Sequence, residues 1–434
     1  MPSSGHSGSD SEKILSFIHK HFHIPKSDRQ KLSTDSKLLI KKIVQQIQLG
    51  VESWGKPATS YKDEILSLTK NDFPKGADYY YVENAIKTEF ETKEKIGKHY
   101  FFKIGSRTFN VYLIKPIEKG EALSPKLQQK IYNLFDNSIK KIYAWLYTAS
   151  HFSELKCSPI LDIYIYMTNN KKYLSDQTDD LSVPITSNNA NTAFTFACPI
   201  RNNEIYIYRT EEWFKVLIHE TFHSLGMDFS IMEQSKVDEK ILGLFPNIKS
   251  NIEDLRSYEA YCECWAEIIN VIFVSIQENG SNSYQNLYKI IEHKMCNEQL
   301  FSIFQCVKVL QYNGFLFREL FEKSGKTLDK NTEENIKNYR EKTSVFSYYV
   351  LKSVLMYHYN NFIEWSIEHN NDSIRFKNTQ KNMMDFYRFI KQNYIYVGFI
   401  QNVENIERWF SNYGCFRNGK CGIELRTLRM SISE

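Results

Sequence analysis

Five consecutive residues, His219-Glu220-Thr221-Phe222-His223, join two imidazoles to a carboxylate in the His-Glu-x-x-His spacing that suits hydrolytic metal chemistry. On a helix, residues 219 and 223 sit one turn apart on one face, so both rings can reach a single ion. Glu220 is rotated about 100° from His219, near enough to touch an ion-held water without being a ligand. Such an ion acidifies and orients a water, and the carboxylate takes its proton. Signals for a helix bracket the string. Thr210 can cap the start, Glu211 and Glu212 suit the positive end of the dipole, and Gly226 can end it. Phe214, Leu217, Ile218, Phe222 and Leu225 supply apolar side chains to bury the rest. The competing reading is a core helix that happens to carry two histidines.

A third protein ligand is required. Phe229 stands where a metzincin-like spacing would place a third histidine, so that pattern fails. The segment Ser257-Tyr258-Glu259-Ala260-Tyr261-Cys262-Glu263-Cys264-Trp265-Ala266-Glu267 offers acids at i, i+4 and i+8, along one helix face. Like charges in a row, among Trp265, Ile268, Ile269, Val271, Ile272 and Phe273, are costly unless a cation compensates them. A buried zinc ion shared with the two histidines would do so.

The His-Glu-x-x-His helix followed by a Glu-x-x-Ala-(Asp/Glu) helix resembles the gluzincin class of zinc metallopeptidases. In that class the first acid of the second motif is the third ligand, and the acid one turn later holds a ligand histidine in place. The resemblance implies Glu263 as ligand, Ala266 as the small residue and Glu267 as the acid behind the histidine. The frame Glu259, Cys262, Glu263 fits nearly as well; alanine at the small position favours Glu263. A carboxylate on the outer ring nitrogen would fix the tautomer and raise ligand basicity. The class also implies an antiparallel edge strand that binds the substrate main chain, and Asn191-Thr192-Ala193-Phe194 resembles it, with Asn191, Ala193 and Phe194 as substrate-binding candidates. Residues 207–215 and 261–266 further resemble an uncharacterised family encoded by large cytoplasmic DNA viruses. A peptidase of this kind needs a hydrogen-bond donor at the oxyanion; Tyr349 is the candidate from the segment 344–351, with His358 nearby.

The elements that must position these groups fall into an α+β plan: a zincin-like mixed lobe with an antiparallel edge strand and the active-site helix, followed by a mostly helical lobe. Residues 1–75 read as a disordered Ser/Gly-rich tail plus helices, 76–230 as the α/β lobe, and 231–434 as the helical lobe carrying the third ligand. Residues 98–104 and 108–114 flank Gly105-Ser106 as a hairpin, and Ser124-Pro125 opens a helix to about residue 150. Strands are expected at 160–166, 192–196 and 204–208, with a long polar connection at 168–190 that is a candidate functional loop. Helices are expected at 210–226, 253–278, 284–294, 297–323, 332–360, 374–393 and 402–411. His19, His21 and His23 suggest a solvated basic face, since only His19 and His23 would share a helical side.

Composition narrows the class of function. The chain has 434 residues, with 55 Lys plus Arg against 51 Asp plus Glu and a formal net charge of +4, the signs mixed along its length. A nucleic-acid partner is therefore not expected. No apolar stretch reaches 18 residues, so no membrane partner is expected either. Eight widely spaced cysteines suggest free thiols in a reduced compartment, and hence a cytoplasmic protein, in host cytoplasm or virion if viral. The close pairs Cys262/Cys264 and Cys415/Cys421 are weak metal signals. The resulting expectation is a Zn2+ metalloendopeptidase acting on a peptide or protein substrate, with Glu220 as general base. The alternative is a catalytically silent zincin-fold binding or structural protein, which would have no use for Glu220.

Overall fold

The computed structural model describes residues 9–56, 61–66, 68, 72–117, 123–175, 184–252, 255–280, 282–322, 339, 341–413 and 422–434. It is a mixed α+β structure around a six-stranded sheet. The strands are β1 (Lys62–Leu66), β2 (Lys95–Ile104), β3 (Arg107–Pro116), β4 (Ile160–Tyr166), β5 (Ala193–Thr195) and β6 (Asn203–Ile207). Their order is β1-β2-β3-β4-β6-β5. β3, β4 and β6 run parallel, while β1, β2 and β5 pair antiparallel with their neighbours, leaving β5 as an antiparallel edge. The expected hairpin forms, with Gly105 at φ +57 where its missing Cβ removes the strain of the turn.

Strict alternation divides the strands between two faces. Val111, Leu113, Ile163, Ile165, Ile205, Ile207 and Ala193 face one way, into the main core. Ile114, Tyr164, Tyr166 and Tyr206 face the other, with Tyr112 and Phe194 packed alongside, under α3 (Asn84–Thr92) and a 3-10 turn at Ala77–Tyr81. Two helices precede these, α1 (Asp10–His21) and α2 (Thr34–Ser53), and α2 packs on α4 (Pro125–Phe152), which Ser124 caps with Pro125 in its first turn. The short α5 (Ser187–Ala190) leads into β5, and α6 (Trp213–Ser224) follows β6. Beyond it come α7 (Ser235–Leu242), α8 (Ser257–Asn279) and α9 (Tyr284–Tyr312), and further helices at Lys352–Tyr357, Tyr359–His369, Gln380–Asn393 and Val397–Tyr413.

Several expectations change. Residues 62–66, read as helical, form β1, so the boundary placed at residue 75 cuts through the sheet. The two helices expected at 284–294 and 297–323 are one helix to Tyr312, because nothing at 295 and 296 breaks the winding: Met295 and Cys296 continue it. Thr210 does not cap α6. The cap position is Glu212, at φ 57, whose carboxylate is held away from the helix by Lys172 at 2.5 Å and by the amides of Met430 and Ser431. The helical α1 ends at His21, so His23 leaves the face of His19, and His19 Nε2 instead meets Asn297 at 3.1 Å. Part of the 168–190 connection and both Cys415 and Cys421 lie outside the described residues. Cys157 and Cys198 form a disulfide, against the expectation of free thiols, while Cys262, Cys264, Cys296 and Cys306 are free. The pair lies 41 positions apart, and the left-handed residues Ser158 and Cys198 turn the two segments together beneath Gly226.

The C-terminal segment threads through the core. The buried Glu298 carboxylate accepts from Ser431 Oγ at 2.8 Å and from the amides of Ile432 and Ser433 at 3.1 and 2.8 Å. Replacing Glu298 by Ala strands these buried donors. The expected cost is about 3 kcal/mol, as for hydrogen bonds to a charged group left unmade, read as a lower urea midpoint with an unchanged m-value.

Candidate metal centre

α6 and α8 pack against one another below the sheet edge, and every side chain of the centre comes from them or from the turn that follows α6. α6 is buried from Phe214 to its end, which explains its apolar composition and makes each polar group on it conspicuous. Gly226, at φ +64, ends the helix as expected; a Cβ there would lie 2.7 Å from Cys157 Sγ. Only glycine fits that turn.

His219 and His223 point their Nε2 atoms at each other across 3.0 Å, and Glu259 Oε2 completes a triangle at 3.0 Å from His219 Nε2 and 3.3 Å from His223 Nε2. These three residues can hold a metal ion. The outer nitrogens face carboxylates. His219 Nδ1 lies 3.1 Å from Glu263 Oε1, an ion-pair contact without the alignment of a hydrogen bond, and His223 Nδ1 meets Asp228 Oδ2. Carboxylates behind both rings favour the proton on Nδ1 and turn the Nε2 lone pairs inward. With both rings neutral, two lone pairs and a carboxylate oxygen converge, an arrangement that repels itself unless positive charge, a cation or a proton, sits at its centre. The spacing suits zinc: tetrahedral coordination at the usual zinc–nitrogen and zinc–oxygen lengths separates ligand atoms by about 3.3 Å. Without an ion, the same site draws in positive charge as protons. Burial opposes charge on His219, but Glu263 and the contacts with Glu259 outweigh it and hold the imidazole up to about 9. Glu259 is held well below the ordinary carboxylate range, burial being overcome by His223 and His219.

The acid that completes the triangle is Glu259, and Glu263, the frame preferred from the sequence, does not reach it. Glu263 stands behind His219 and takes the buried ammonium of Lys215 at 2.6 Å. Glu267, expected behind the histidine, lies a further turn away and pairs with Lys352 at 2.6 Å. The row of three acids is therefore not neutralised by one ion: Glu259 has the imidazoles, Glu263 has Lys215 and Glu267 has Lys352. Both lysines are buried and too far along the chain from α8 for its own sequence to reveal them. Lys215 did leave a trace, since it precedes His219 by one turn on the same face. Asp228, which also receives Ser230 N at 3.0 Å and Cys262 Sγ at 3.3 Å, carried no signal beyond its nearness to the motif.

A cavity of about 760 Å³ opens on the triangle, lined by His219, Glu220, His223, Glu259, the β5 residues Ala193, Phe194 and Thr195, Asn191, Tyr258 and Tyr348. The Glu220 carboxylate borders it and, among the described residues, takes no hydrogen bond; burial raises its proton affinity against the pull of His219 and His223. Asn191 ties two walls of the cleft, its Oδ1 accepting from Thr343 Oγ1 at 2.7 Å. Tyr349 is absent from this site. It is fully buried and donates to Leu428 O at 2.6 Å, while its neighbour Tyr348 faces the cavity with its ring 6.3 Å from that of His219. Adjacent residues on a wound backbone point about 100° apart, less through the π-helical turn Phe346–Leu351, and the tail that claims Tyr349 decides which of the two faces the cleft. His358 is buried elsewhere, against Tyr396.

Comparison with protein-family models, with curated proteins and with solved structures finds no match. The centre must be read from its own geometry. Glu259→Ala is expected to abolish stoichiometric zinc binding. Glu263→Gln is expected to retain zinc with affinity lowered about 10- to 100-fold, and Glu267→Gln to bind as the unaltered protein does. Elemental analysis and competition with a chromophoric chelator distinguish the three.

Proposed function

We propose that the protein is a zinc-dependent peptidase of the gluzincin kind, its ion held by His219, His223 and Glu259. The observation that carries this is the convergence of three acceptor atoms within 3.3 Å, beside a carboxylate, Glu220, that is left unbonded and open to the cleft. The spacing Glu259 to Glu263, ligand and then the acid one turn later, is the order that the class resemblance implies, with Cys262 rather than Ala266 at the small position.

Zinc, when bound, supplies Lewis-acid chemistry, acidifying water and polarising a carbonyl. The chain's own residues do the rest. Glu220 holds and transfers a proton at its carboxylate, where burial favours the protonated form that the leaving amine requires in the second half of the reaction. The phenol of Tyr348 keeps its proton, burial and the surrounding carboxylates raising its pKa well above the ordinary value, and is placed to donate to a developing oxyanion. β5 orients the substrate. Just before it, the Thr192 carbonyl accepts from Tyr208 N, the residue after β6, so the alternation of an antiparallel ladder turns the N–H and C=O of Ala193 and Thr195 to the open edge. An extended peptide laid there gains main-chain hydrogen bonds beside the ion site. Asn191, at the mouth of the same edge, holds the cleft wall through Thr343.

Glu220→Gln is expected to retain one zinc per chain while hydrolysis of a mixed peptide pool falls at least ~10²-fold, in keeping with loss of a general base. Equal activity of the two proteins would refute the assignment. Tyr348→Phe is expected to lower kcat by roughly 10²-fold with little change in KM, the signature of an interaction made only in the transition state, measured by steady-state kinetics on any peptide the pool identifies.

A further inference from the structure

The sheet face turned away from α6 carries an unbroken column of stacked rings. His99, Tyr112, Tyr164, Tyr206 and Phe194 follow one another from β2 to β5 with centroid separations of 4.3, 4.8, 4.9 and 5.0 Å and interplanar angles of 8°, 6°, 14° and 15°. Each ring belongs to the residue paired across from the next: His99 with Tyr112, Tyr112 with Tyr164, Tyr164 with Tyr206, and Tyr206 with Phe194. The separations match the interstrand spacing of about 4.8 Å, so the pitch of the sheet sets the stack, and any strand added in register extends it.

The two ends of this column differ. On the β1 side the next residue across is Glu64, whose carboxylate meets His99 Nδ1 at 2.9 Å and closes the column with a polar contact. On the β5 side the column stops at Phe194, which is half-buried and lines the cleft, with no further strand beyond it among the described residues. Tyr81 meets Phe194 and Phe196 edge-on, at 5.9 Å from each, and both Tyr81 and Phe196 are exposed. The cleft therefore ends in an aromatic step whose next place in the stack lies over the open strand edge.

We propose that the cleft selects extended peptides carrying Phe, Tyr or Trp at one fixed position, the residue that falls across from Phe194. This rests on the peptide-binding reading of β5 given above. In an antiparallel pairing the position opposite Phe194 is a non-hydrogen-bonded one, because Ala193 and Thr195 make the main-chain bonds, and side chains there approach most closely. The side chains on either side of that residue point to the opposite face, toward the ion site. Phe194 is thus a specificity-determining residue, and Tyr81 and Phe196 form the rim of its subsite.

The test uses the zinc-loaded, full-length Glu220→Gln protein, immobilised, to select from a random decapeptide pool, while the unaltered protein digests the same pool. Sequencing of the retained peptides is expected to show aromatic residues enriched roughly 3- to 10-fold at a single register, the scale of one additional ring pair. Phe194→Leu, which keeps apolar volume without a ring, is expected to abolish that enrichment while leaving zinc content and unfolding midpoint close to the unaltered values. Retention with no aromatic preference, no retention at all, or a preference unchanged by Phe194→Leu, overturns the proposal. Aromatic enrichment that depends on Phe194, without cleavage by the unaltered protein, upholds this subsite and overturns the peptidase reading instead. Cleavage without aromatic preference does the reverse.

Discussion

Three acceptor atoms held about 3 Å apart in a buried site repel one another, and the rest of this structure can be understood as the scaffold that keeps them there. Two are imidazole nitrogens one turn apart on α6, the third a carboxylate oxygen on α8. Neither helix could hold that arrangement alone. Their packing fixes the separation, while Asp228 and Glu263 fix the ring orientations from behind. Such convergence is stable only around positive charge, which is the physical basis for reading the site as a metal centre.

Burial of so many charges sets a second constraint. An unpaired carboxylate in the interior costs several kcal/mol, and the structure answers with lysines at matching depth: Lys215 for Glu263, Lys352 for Glu267 and Lys172 for Glu212. Glu212 in turn receives the amides of Met430 and Ser431, and Glu298 receives those of Ile432 and Ser433. The C-terminal segment is thereby bound into the same ionic framework that starts α6. This links the start of the helix that carries His219 and His223 to residues more than two hundred positions away.

The sheet contributes through both of its faces. One packs against the helices with aliphatic residues and sets the height of α6 relative to β5. The other carries the aromatic column that reaches the strand edge at Phe194. Because the faces alternate residue by residue, a strand added at that edge would turn its side chains alternately toward the His219–His223–Glu259 triangle and toward the aromatic step.

The local sequence determined whatever depends on local spacing. The pairing of His219 with His223, the position of Glu220 between them, the glycine that ends the helix, the hairpin at Gly105 and a strand near 193–195 all follow from periods of two or 3.6 residues, β propensity and turn chemistry. Tertiary structure alone decided what depends on the phase of one element against another. Glu259 and Glu263 are equivalent along α8, and only the rotation of that helix against α6 makes one face the imidazole pair and the other face Lys215. Tyr348 and Tyr349 are adjacent, and only the returning tail selects which turns to the cleft. Cys157 and Cys198 meet only because two turns bring their segments together. Periodicity specifies a face but not its partner; the partner is chosen by packing, through contacts that lie far apart in the chain.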